Sequence, residues 1–207
     1  MKTGGRHARG SSNLPLSVMK IVELRRHAER DANEDLTERG LAQCAHARAT
    51  LEFPYDAYYV SPAKRARLTM EEFGIDEPIP DERLGPRPKA SFAPYEARHE
   101  ELMAAGLDAV SAWFAIPQVV PLLQAHGRSV AEAVYHIATE LPDGGRALAV
   151  SHGGTIEPFA VIALGQPYDR IFGSELGYCE GVRAFTVDST IVSLHVVRLP
   201  VIDEGPP

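Results

Sequence analysis

The chain has 207 residues, 44% of them hydrophobic and 24% charged, enough for one sizeable core and a single domain. Its net charge of −7 argues against a broad nucleic-acid footprint, so any cluster of arginines is a local exception on an acidic surface. Two cysteines, Cys44 and Cys179, form no paired motif; this argues against a disulfide framework or a zinc-finger-type site and fits a reducing cytoplasm.

Residues 1–18 are small, basic and rich in Gly and Ser, with no apolar signal core, and read as a flexible tail with Met19 as an alternative start. Residues 19–207 read as one domain. No apolar run reaches the length needed to cross a bilayer, so no membrane partner is expected.

Residues 20–24 read as a strand. Arg25, Arg26, His27, Ala28, Glu29 and Arg30 follow directly. A histidine among three arginines is costly, because the cations repel one another and disfavour a charged imidazole. An anionic ligand makes sense of it: guanidinium forks hold a phosphoryl group, and an uncharged imidazole attacks it. Ion pairs to Glu29 and Asp31 are the plainer alternative.

Thr37 then caps a helix running to about Leu51. Residues 56–60 read as a strand, and Ser61-Pro62 as a helix start with Ser as N-cap and Pro at the first position. Ala66, Met70 and Phe73 form that helix's buried stripe. Prolines break residues 74–128 into short pieces, with helices around 95–105 and 107–114. Ser129 to Glu132 reads as a capping box opening a helix. Residues 147–150 are an apolar strand of a sheet covered on both faces. The helix after Ser151-His152-Gly153-Gly154 carries Ile156, Phe159, Ala160, Ala163 and Leu164 on one face. Strands at 181–187 and 190–197 finish an α/β pattern, a three-layer sandwich with a mostly parallel sheet.

Arg26 and His27, Arg65, and His152 each follow a predicted strand. In open α/β sheets ligands bind at the carboxyl ends of strands, so these residues are expected to meet in one crevice.

With these motifs in this order, residues 20–198 resemble the histidine phosphatase superfamily, the phosphoglycerate-mutase-like family. The residues carrying the likeness are 24–30, 36–40, 61–66 and 150–154. The resemblance implies His27 as the nucleophile that becomes phosphohistidine. It implies Arg26 and Arg65 as phosphate clamps and His152 as the second histidine on the phosphoryl group. Arg30 at the entrance, Asn33 and Gly153 would add substrate contacts. Two guanidiniums and an imidazolium supply charge without a metal or cofactor. Gly153 and Gly154 open a helix whose free N–H groups would face the anion.

Two departures stand out. Ala28 replaces the family's usual Gly, which is closer to small phosphohistidine protein phosphatases and broad-specificity members than to mutases. The family's acid slot after Leu84 holds Gly85 and Pro86. Glu82 is the nearest carboxylate, with Asp81, Glu96 and Glu157 as others, and a solvated surface charge is the plain alternative for Glu82. Residues 86–128 are the candidate cap. The expected activity is hydrolysis of a phosphomonoester or phosphohistidine, on a small phosphorylated substrate or phosphoprotein in the cytoplasm. A mutase and a non-catalytic phospho-ligand-binding module are the alternatives.

Overall fold

Strand β1 (Lys20–Arg26) alternates its side chains between two covered faces. Val22 and Leu24 enter one core, while Glu23 and Arg25 turn to the other, all four fully buried. In the computed structural model, which describes residues 18–188 and 190–200, β1 sits inside a sheet with β2 (Ala57–Val60), β3 (Ile79–Pro80), β4 (Arg146–Ser151), β5 (Gly181–Val187) and β6 (Thr190–Val197). The expected tail lies outside the described residues except at its last position, as does the choice between Met1 and Met19.

The strand order is β3-β2-β4-β1-β5-β6. The pairs β2–β3, β2–β4 and β1–β4 are parallel, while β1–β5 and β5–β6 are antiparallel. The sheet is therefore mostly parallel, with an antiparallel edge. Helices cover both faces. On one face, α1 (Glu38–Arg48) and α2 (Lys64–Glu72) pack Cys44, Ala47, Ala66 and Met70 against Leu148 and Val150 of β4. On the other, α6 (Val120–Glu140), α7 (Ile156–Leu164) and α8 (Tyr168–Phe172) pack on Val22, Leu24, Ala147 and Ala149.

Thr37 caps α1 as expected, its Oγ1 accepting from Gly40 N–H at 3.0 Å. Two other helix starts differ from expectation. Ser61 does not cap α2; the N-cap is Ala63, and Ser61 Oγ is engaged elsewhere, as described below. The residues 129–132 open no helix. The helix begins at Val120, with Pro121 in its first turn, and runs through Ser129 without a break. Tertiary packing overrides the local capping pattern. Leu123, Gly127, Val130, Val134 and Ile137 form one continuous buried stripe, and a Cβ on Gly127 would lie 2.5 Å from Pro158 O in α7.

Between β3 and α6 lie a 3₁₀ turn (Glu82–Leu84), α3 (Lys89–Phe92), a second 3₁₀ turn (Ala93–Tyr95), α4 (Glu96–Ala104) and α5 (Ala109–Phe114). Phe92, Trp113, Ile116, Val119 and Leu123 form a small core of their own there.

Candidate active site

Parallel strands place the carboxyl ends of β1, β4 and β2 side by side, with Arg26 opposite Ser151 and Val60 opposite Val150. The ladder extends one residue into each loop. His27 N–H donates to Ser151 O and Ser61 N–H to Val150 O, both at 2.9 Å. Three loops far apart in sequence are thereby held at one sheet edge.

His27 is 7% exposed and His152 is 2% exposed, and their rings meet edge to face at 5.1 Å. Arg65 ties them together: Nε donates to His27 Nε2 at 3.0 Å and Nη2 donates to His152 Nδ1 at 3.0 Å. A guanidinium only donates, so both acceptor nitrogens carry lone pairs. The remaining protons follow. His27 Nδ1–H donates to the carbonyl of Ala28 at 2.7 Å, and His152 Nε2–H donates to Ser61 Oγ at 2.7 Å. Ser61 is therefore a positioning residue for His152, a role its place beside Pro62 concealed.

Burial is the main cause that lowers His27 from the ordinary 6.5 to about 3, with Arg65, Arg26 and Arg30 adding to it against the Ala28 bond. Burial and then Arg65 lower His152 to about 2. The expected imidazolium is thus absent from the unliganded site: both rings are uncharged. That state suits a nucleophile, and an arriving phosphoryl anion would draw a proton towards His152.

Arg26 enters from the end of β1. Its guanidinium carbon stands 4.3 Å from the ring centroid of Tyr178, Nη1 donates to Leu176 O, and buried Nε has no partner among the described residues. A Cβ on Gly153 would come within 2.9 Å of that Nε. The helix that follows does not present free amides to the cleft as expected. Gly154 N–H donates to Glu157 at 2.7 Å, and Thr155 and Ile156 N–H both donate to His152 O. Glu157 is wholly buried, and burial raises its pKa; it braces the glycine turn from behind.

Together these groups floor a cleft of about 460 Å³ lined by Arg26, His27, Arg30, Arg65, Pro86, Arg87, Lys89, His152, Gly153 and Tyr178. Arg30 and Gly153 therefore lie where the sequence places them. Asn33 does not line the cleft; its exposed loop is held by Asp31, whose carboxylate accepts from the Asn33 and Asp35 amides. Glu82 is exposed on its 3₁₀ turn and also lies outside the lining, and Asp81 is committed to Arg83 at 2.5 Å. Glu96 is exposed on α4. Arg25, next to His27 in sequence, faces the opposite core and pairs with Glu23 at 2.6 Å.

Four residues enter the site unannounced. Arg87 and Lys89 come from the Gly85-Pro86-Arg87-Pro88-Lys89 stretch, where two cations alternate with rigid prolines. That alternation is visible in the sequence, but with no strand or helix period it does not show which way either cation points. Tyr178 comes from the loop before β5. Glu34, at a left-handed φ of 67°, sets its carboxylate 2.5 Å from Arg65 Nη1. No group of three His, Cys, Asp or Glu side chains among the described residues is arranged to hold a metal ion.

Solved structures share this fold. Phosphoserine phosphatase from Entamoeba histolytica, with phosphoserine bound, is 16% identical, with a TM-score of 0.56 over 85% of this chain and 96% of that one. A mycobacterial glucosyl-3-phosphoglycerate phosphatase is 20% identical, with a TM-score of 0.57 over 87% and 99%. Alpha-ribazole phosphatase from Shigella flexneri is 18% identical, with a TM-score of 0.56 over 88% and 99%. No curated protein matches the sequence. The sequence model of the histidine phosphatase superfamily, branch 1, matches residues 22–190 and spans β1 through the start of β6; the chain belongs to that family.

Proposed function

We propose that the chain is a metal-independent phosphohydrolase that takes a phosphoryl group onto His27 Nε2 and passes it to water. One observation carries the reading: an uncharged, buried imidazole whose Nδ1–H is fixed on Ala28 O, so that Nε2 carries the lone pair and accepts from Arg65 Nε until a phosphoryl group draws that donor away. Phosphoryl transfer is chiefly positioning and charge stabilisation, and Arg26 and Arg65 with His152 supply both. Arg30 at the rim adds a further cation. The structural relatives named as phosphatases support the direction, and the substrate is a small phosphorylated compound or a phosphoprotein.

The reaction runs in two displacements. Nε2 attacks phosphorus, the bond to the leaving oxygen breaks, and the ring keeps its Nδ1 hydrogen. Water then attacks the phosphohistidine, and the N–P electron pair returns to Nε2. Glu82 is not retained as the acid, because it is exposed and outside the cleft. The lining residues include no carboxylate, and that of Glu34 is engaged by Arg65 at 2.5 Å, so a phosphohistidine or another leaving group that departs unprotonated fits better than an alkyl phosphomonoester. The same missing acid favours one second reading, a phospho-ligand-binding module without turnover.

An aryl phosphate assay separates the readings. The native protein hydrolyses it, and His27→Ala loses activity by about 10³-fold or more with its melting temperature retained. No turnover by the native protein supports the binding module, and undiminished turnover by His27→Ala removes His27 from the chemistry.

A further inference from the structure

The cleft holds more positive charge than one phosphoryl group needs. Five of its ten lining residues are Arg or Lys and none is Asp or Glu, in a chain of net charge −7; Glu34, outside the lining, pairs with one of the five, Arg65. Arg26 and Arg65 stand at the histidines. Arg87 enters from the stretch between β3 and α3, and Lys89 from the first position of α3.

Arg87 is the most telling of these. Its guanidinium carbon lies 5.1 Å from the Phe92 ring centroid and 4.9 Å from that of Trp113, so two aromatic faces aim it. It makes no hydrogen bond or ion pair with any described residue; Glu157 and Glu96 act on it only through space, and burial lowers its pKa. Gly154, at φ +74°, leaves it room, since a Cβ there would lie 2.4 Å from Arg87 Nη1. A partly desolvated cation held in place without a counterion, facing a cleft, is arranged for an external anion.

We propose that Arg87 and Lys89 form a second anion subsite that holds the leaving group, and that the substrate class is a phosphoanhydride. The proposal rests on the phosphohydrolase reading above and names its substrate. It joins two observations that a monoester leaves separate: the missing acid and the surplus cations. An alkoxide needs a proton to leave, whereas a phosphate leaves as an anion and needs cations. A phosphohistidine leaves as an imidazole, for which Arg87 has no use. Balanced, His27 Nε2 attacks the terminal phosphorus, the bridging P–O bond breaks, and its electron pair departs on the second phosphate, held by Arg87 and Lys89. Water then cleaves the N–P bond, giving two phosphates from one anhydride and one water.

The test measures kcat/KM for inorganic pyrophosphate, ADP, glycerol phosphate and an aryl phosphate with the native protein, Arg87→Gln and Lys89→Gln. The expected native preference is about 10²-fold or more for the anhydrides over glycerol phosphate. Arg87→Gln lowers the anhydride rates by about 10²-fold, and by at least about tenfold more than the aryl rate. Lys89→Gln, on an exposed side chain that does not endanger folding, shows the same bias more weakly. Aryl turnover without anhydride turnover overturns the subsite and leaves the phosphohydrolase reading standing. If nothing turns over, that reading fails, and pyrophosphate calorimetry decides the subsite. Weaker binding in Arg87→Gln and Lys89→Gln supports it, and unchanged binding overturns it.

Discussion

Among the described residues, Arg65 is the single side chain that hydrogen-bonds both imidazoles, through two nitrogens of one planar fork. Arg65→Ala should therefore lower kcat/KM on an aryl phosphate by about 10²-fold or more, and Arg65→Lys should recover only part of it, since an ammonium is not a fork. Steady-state kinetics on the two variants checks this; full activity in Arg65→Ala contradicts it. The histidines carry a pH signature as well. Both have folded pKa values below the unfolded 6.5, about 3 for His27 and about 2 for His152. The unfolded chain then binds more protons below pH 6.5, so stability is greatest above that value and falls as pH drops towards 3. Each ring contributes up to about 1.4 kcal/mol per pH unit. NMR titration of the imidazoles should show neither ring titrating between pH 8 and 5 in the unliganded protein. A midpoint near 6.5 for either would contradict the buried, uncharged pair. Arg26, His27 and His152 were legible in the sequence because they sit at or just past the ends of β1 and β4, and Arg65 because it lies in the first turn of the helix after β2, within motifs that resemble the family's. Arg25 was not separable from its neighbours by adjacency, although strand alternation explains why it faces Glu23 instead. Arg87 was hidden because a proline-broken stretch gives no periodicity from which to place a side chain.

At the scale of elements, α6 shows how packing outranks a local signal. Ser129 to Glu132 has the composition of a capping box, yet the buried stripe on either side of it is continuous. Ser129→Ala should accordingly change stability by less than about 0.5 kcal/mol, where loss of a true cap costs about 1 kcal/mol. Gly127→Ala should destabilise by about 1–3 kcal/mol, despite alanine's better helix propensity, because its Cβ meets Pro158 O at 2.5 Å. Urea unfolding of both variants decides between a continuous helix and two separate ones. A destabilising Ser129→Ala with a neutral Gly127→Ala would reverse the assignment. The Ser61 loop teaches the same lesson from another side: a Ser-Pro pair has the chemistry of a helix start, but its hydroxyl serves His152.

For the whole molecule, alternating strands and helices made the three-layer fold readable, and β5 and β6 fall at 181–187 and 190–197 as the residue pattern suggests. The antiparallel pairing of β1 with β5 was not readable, because it depends on where the chain returns after α8. The charge distribution follows the same division. An acidic chain gathers five cations around one cleft, and in the proposed reaction they would supply the charge that a metal ion brings in metal-dependent phosphatases. Turnover of an aryl phosphate should therefore change by less than about twofold after incubation with EDTA; a larger loss restored by magnesium or zinc would contradict this.

The covalent step on His27 is measured directly by trapping it. The protein is mixed with ³²P-labelled substrate, quenched during turnover and digested, and the labelled peptide is sequenced. Acid-labile, alkali-stable label is expected on the peptide carrying His27, and none in His27→Ala. Acid-stable label on Ser61 or another hydroxyl, or label that persists in His27→Ala, would contradict it.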